Sequence, residues 1–188
     1  MKPKKQAIRM AYAYPREIYG VKIFYVLLAI GAAILFGMFF TAVVVGLGFI
    51  LLDVLTTIPQ RKYADLPMDV HTTLFGAVIM TLAFGFWAGA VVGIAGRIIV
   101  RGMMGALELR EFIALAGILA GVAVASSFPT MQIFWLGLLA AAAYNLVTLL
   151  YIPMGTSIGR GIVYPLTSLA ANIVLFKIFG ELVVSVLA

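Results

Sequence analysis

The residues best equipped for chemistry in this chain are polar side chains set inside apolar stretches. Tyr144 and Asn145 are adjacent, Asn172 stands in the last apolar stretch, and Lys177 and Glu181 follow it. In hydrocarbon an asparagine needs a hydrogen-bond partner, because no water is there to satisfy it. The two asparagines therefore either bond each other across neighbouring helices or line a small polar cavity. Ser126, Ser127, Thr167 and Ser168 are further candidates for that cavity. Lys177 and Glu181 stand one helical turn apart and can pair on one face, or Lys177 can snorkel outward. Tyr144, Asn145, Asn172 and Lys177 are accordingly the candidate ligand-binding residues.

Other chemistries find less to work with. His71 is the single histidine and there is no cysteine, which excludes disulfides, zinc–thiolate sites, iron–sulfur clusters and a cysteine nucleophile. No second ligand accompanies His71, so no metal and no cofactor is expected. No Walker A, H-E-x-x-H or G-x-S-x-G motif occurs, and the acids are scattered, so the chain does not read as an enzyme. Arg97 and Arg101 share one helix face, with Glu108, Arg110 and Glu111 close behind. That pair reads either as topology and lipid contact or as a docking surface for an anion or a partner.

The elements that must position these residues follow from composition. The chain has 188 residues, of which 64% are hydrophobic and only 11% charged, and its mean hydropathy is +1.16. Soluble domains are roughly 45–50% apolar and about 25% charged, so this composition points to an all-α polytopic transmembrane helical bundle. The net charge of +6 fits anionic lipid headgroups, not nucleic acid.

Residues 1–22 read as a basic interfacial arm that Pro15 interrupts, and 23–188 as one transmembrane domain. The expected spans are about 23–52, 71–100, 112–128, 132–152 and 161–187. Residues 53–70 form an irregular outer loop with Asp69 as a helix N-cap, and Pro165 lies in the first turn of the last span. Five spans with the N-terminus inside and the C-terminus outside place Arg97, Arg101, Arg110 and Arg160 inside, opposite Asp53, as the positive-inside rule prefers. Six spans, made by a hairpin within 23–52, are the alternative. Small residues recur every fourth position at Ala77, Thr81, Gly85, Gly89 and Gly93, at Gly117, Gly121 and Ala125, and at Gly137, Ala141 and Asn145. Such stripes allow close helix packing; Gly85, Gly89, Gly93, Gly117 and Gly121 are the expected packing residues.

The stretch Leu82–Gly93 resembles the Gly-x-x-x-Gly-type helix of the substrate-binding subunits of energy-coupling vitamin transporters, a family that typically has six helices. His71 to Gly85 resembles a histidine-led helix of heme–copper oxidase core subunits, whose further histidines are missing here. Neither resemblance carries a residue role across. The expectation is a multi-pass protein of a cell or inner membrane. It would be a small non-enzymatic transport or permeation component that binds a small solute between helices, with another membrane subunit or a second copy as partner. The alternative is a structural or assembly subunit of a larger membrane complex, such as a respiratory complex.

Overall fold

The computed structural model describes residues 4–62, 72–103, 105, 107–108, 111–155 and 157–187, with the side chains of 4–24, 59–62 and 160 outside the description. The elements are α1 (Lys4–Lys62), α2 (Thr73–Phe84), α3 (Phe86–Met103), α4 (Glu111–Ser127), α5 (Ile133–Thr148), α6 (Ile158–Leu175) and α7 (Glu181–Leu187). A 3-10 turn, Leu149–Tyr151, closes α5, and a π-helical segment, Phe176–Gly180, joins α6 to α7. No strand occurs among the described residues. Among the described residues four stretches are long and apolar enough to cross a membrane: Tyr25–Ile58, Phe86–Met103, Ile133–Tyr151 and Gly161–Leu187. The protein is a helical membrane protein.

The first helix corrects two expectations. It runs through Pro15, where an interruption was expected, and through Asp53, where a loop was expected to begin. At Asp53 the carboxylate finds its donors in Thr72 and Thr73, and Thr56 and Thr57 donate their hydroxyls back to the Asp53 carbonyl within the helix, at 3.0 and 2.6 Å. Asp69 and His71 lie outside the described residues.

The chain divides into two compact units, Met1–Thr41 and Ala42–Ala188. In the first unit the side chains of Tyr25–Phe40 are exposed around the helix, apart from the half-buried Gly31, and Phe36 stacks on Phe40. A helix that is apolar all round and unburied is suited to lipid, not to water.

In the second unit, α2 is the centre. Every residue from Thr73 to Thr81 is buried. At 12 residues α2 is about 18 Å long, short of the roughly 30 Å hydrocarbon core. It is not half of a straight span. Gly85 has φ +91°, a conformation costly for any residue with a Cβ, and the chain folds back there. The expected span 71–100 is therefore a hairpin of α2 and α3. Its two arms approach where side chains are absent: a Cβ on Gly89 would strike Thr81 and the Ala77 carbonyl, one on Gly93 would meet Ala77 at 3.0 Å, and one on Gly96 would meet Thr73 at 3.5 Å.

The same kind of contact fixes the remaining directions. Phe49 of α1 packs on Phe75 and Gly76, and Gly46 faces Val92 and Met80. Gly93 faces Ile118, Gly117 faces Tyr144, and Gly121 faces Leu74 and Ala140. Gly161 faces Ile152, Gly137 faces Phe176, and Gly180 faces Ile133. Successive helices of this unit thus alternate in direction. One consequence corrects the charge argument. Thr73 touches Gly96 and also bonds Asp53, so Asp53 and the Arg97 turn lie at the same end of the bundle. The count that chose a cytoplasmic N-terminus needed them at opposite ends.

Candidate functional site

Three buried polar clusters punctuate the apolar core. The first is built on Asp53, which is 1% exposed. Its Oδ1 accepts from the Thr72 backbone N–H at 2.7 Å and from the Thr72 hydroxyl at 3.2 Å, and its Oδ2 accepts from the Thr73 hydroxyl. The first turn of α2 has no cap from its own side chains; a carboxylate from α1 supplies it. An anion at a helix N-terminus is stabilised both by the free N–H groups and by the helix dipole. Asp53 is therefore a tertiary N-cap that ties α1 to α2.

The second cluster joins α3 to α4. Arg97, only 5% exposed, donates its Nε to Glu111 at 2.8 Å, and Arg101 lies 3.5 Å from the other Glu111 oxygen. Glu111 is the first residue of α4, where a carboxylate also suits the helix dipole. One acid thus holds both arginines at the expected interfacial pair.

The third cluster lies between α5 and α6. Asn145 donates its Nδ2 to the Ala141 carbonyl at 2.8 Å, and Asn172 donates its Nδ2 to the Ser168 carbonyl at 2.8 Å. A carbonyl only accepts, so each amide must turn its NH₂ toward it and its Oδ1 away. Both Oδ1 atoms are buried without a partner, and so is the Ser168 hydroxyl oxygen. Helix register brings the three together. From the Gly137–Phe176 contact, one turn along each helix reaches Ala141 and Asn172, and the next reaches Asn145 and Ser168. Asn172 and Ser168 are each 1% exposed and Asn145 is 8% exposed. An orphaned buried acceptor costs about 1–3 kcal/mol, and native interiors rarely tolerate one without a reason.

Of the four expected ligand-binding residues, the structure brings Asn145 and Asn172 to one interface. Tyr144 is buried but turns to α4, its ring lying over Gly117. Lys177 is exposed in the π-helical segment and makes no ion pair with Glu181, which instead accepts from Gln132 at 3.4 Å. Ser168 joins the site as one of the further candidates. Thr167 bonds the Val163 and Tyr164 carbonyls, and Ser126 and Ser127 bond the Ala123 carbonyl on an exposed helix end.

Gly89, Gly93, Gly117 and Gly121 all sit in close helix contacts. Gly85 does not: a Cβ there would meet nothing within 4 Å, and its part is the turn. The stretch Leu82–Gly93 is thus the end of one helix, a turn and the start of another. The roles of Asp53, Thr72, Thr73 and Glu111 were missed in the sequence reading. A cavity of about 350 Å³ opens at the opposite end of the bundle, lined by Leu82, Pro129, Met131, Ile133, Glu181 and Val184, away from the polar trio. No protein-family model, curated protein or solved structure matches this chain.

Proposed function

We propose that this protein is a small non-enzymatic transport or permeation component of a cell or inner membrane, holding a small solute between α5 and α6. The observation that carries this reading is the trio Asn145 Oδ1, Ser168 Oγ and Asn172 Oδ1, buried on facing helices with no partner in the protein. A solute supplies what the fold withholds. In reconstituted vesicles the reading requires that Asn145→Leu and Asn172→Leu lower solute uptake. Uptake equal to wild type in both variants rejects it.

The finer topology belongs to the same proposal. The alternation of α1, α2, α3, α4, α5 and the α6–α7 rod favours six antiparallel passes, of which the short α2 reaches only part of the way across, with the extra turn at Gly85 and not within 23–52. Arg97 and Arg101 mark one end of the Ala42–Ala188 unit, and Arg61, Lys62, Arg110 and Arg160 flank the same helix ends in sequence. The positive-inside rule makes that end cytoplasmic. Single cysteines placed at Gly105 and Thr130 of this cysteine-free chain should label from opposite sides of the membrane.

A second reading is an assembly subunit of a larger membrane complex. The exposed apolar helix 25–40 favours it, since such a surface serves a partner helix as readily as lipid. A partner that co-purifies in stoichiometric amount, and is lost when Phe36 and Phe40 become alanine, supports this reading over transport.

A further inference from the structure

The chemistry of the α5–α6 trio narrows what it can hold, and this step rests on the transport reading above. Asn145 Oδ1 and Asn172 Oδ1 can only accept hydrogen bonds, while Ser168 Oγ accepts or donates. Among the described residues the buried acidic and basic side chains are Asp53 and Arg97, which are engaged with Thr72 and Thr73 and with Glu111, while Lys177 and Glu181 are exposed, so none of these charges faces the trio. A cation placed there would lose its hydration against neutral oxygens alone, with no carboxylate to offset the cost. An anion would meet the negative ends of two amide dipoles. We infer that the site takes a small uncharged solute bearing at least two N–H or O–H donors. Water, urea, small primary amides and short polyols share this chemistry.

The packing adds how such a solute gets in. All three atoms are sealed from solvent, so an occupant requires the helices around them to part, and α6 is the one built for it. The build of α6 suits that motion. Pro165 lies inside the helix, as its eighth residue, and deprives the Gly161 carbonyl of its helical donor. The π-helical segment Phe176–Gly180 loosens the other end. Ser168 and Asn172 occupy the stretch between these two irregularities. The sealed state forgoes hydrogen bonds that the open, occupied state makes, so occupancy favours opening.

The test uses the full chain in vesicles of neutral lipid, with stopped-flow light scattering. The uncharged probes are water under osmotic shock, urea, formamide and glycerol; the charged probes are potassium and methylammonium. Uncharged probes should cross faster than in protein-free vesicles. Each of Asn145→Leu and Asn172→Leu should cut that gain about tenfold, the size expected for one lost buried hydrogen bond. Ser168→Ala serves where a leucine variant does not fold. Pro165→Ala should slow every uncharged probe while leaving its selectivity order intact. If only the charged probes cross, and the same variants stop them, the uncharged class is overturned and the α5–α6 site stands. If no probe outruns the protein-free vesicles, the transport reading itself falls.

Discussion

Asp53 and Asn172 are equally buried, yet their surroundings differ completely. Asp53 is the more expensive group to place in an apolar interior, and it has a donor on each oxygen. Asn172 is cheaper, and half of its amide is left without a partner. The Asp53 cluster joins two helices and asks for nothing more. The Asn145–Ser168–Asn172 cluster also joins two helices, but it leaves three atoms waiting. The contrast separates polar groups that the fold pairs completely from polar groups that it leaves unpaired. A buried network that is complete rigidifies its surroundings, and one that is incomplete weakens them.

The contrast breaks or sharpens under substitution. The largest effect should come from Asp53→Ala, which leaves the Thr72 N–H and two hydroxyls buried and unpaired. About 3 kcal/mol of stability should be lost, seen as a lower midpoint in thermal melts followed by the fluorescence of Trp87 and Trp135. Arg97→Leu should cost less, about 2 kcal/mol, because Glu111 keeps Arg101; a double-mutant cycle with Glu111→Gln isolates the pair. At the other cluster the sign should reverse. Asn172→Leu removes an orphaned acceptor and should leave stability unchanged or raise it by about 1 kcal/mol, while uptake falls. A marked loss of stability there would place Asn172 with Asp53 among the fold-building groups and collapse the distinction. Gly85→Ala should cost about 1 kcal/mol through its backbone conformation alone, whereas Gly89→Ala, of equal size, should cost more through collision with the Ala77 carbonyl. The smallest effect, within about 0.5 kcal/mol, belongs to the exposed Lys177→Gln.

How much of this was legible in the sequence depends on what kind of information each feature carries. The solvent, the helical class, the turn at Pro129–Thr130 and the break after Ile152 follow from composition and helix breakers. The stripe Gly137–Ala141–Asn145 correctly pointed one face of α5 at a neighbour. The hairpin was hidden because Gly85 continues the four-residue spacing of small residues, and that spacing looks the same in a straight helix as in two arms folded together. Only the positive φ distinguishes them, and nothing in the residue types reveals it. Asp53 looks like the end of a span because an acid after an apolar run usually is one. Its partners lie 19 and 20 residues away, beyond any local pattern. Pro165 falls beyond the first turn because the helix begins at Ile158, three residues before the apolar stretch suggests. Lys177 stands one turn from Glu181, but sequence leaves open whether it faces the bundle or snorkels outward, and the structure leaves it exposed.

The short α2 also bears on how the protein is made. A 12-residue segment offers the insertion machinery too little apolar length to be retained as an independent crossing. It must enter lipid together with α3, as a preformed helical hairpin whose turn is Gly85. The ribosome has by then already released Asp53, so the carboxylate that caps α2 is in place before α2 arrives. On this order of events a defect at Gly85 that separates the two arms should show first as poor membrane insertion of α2.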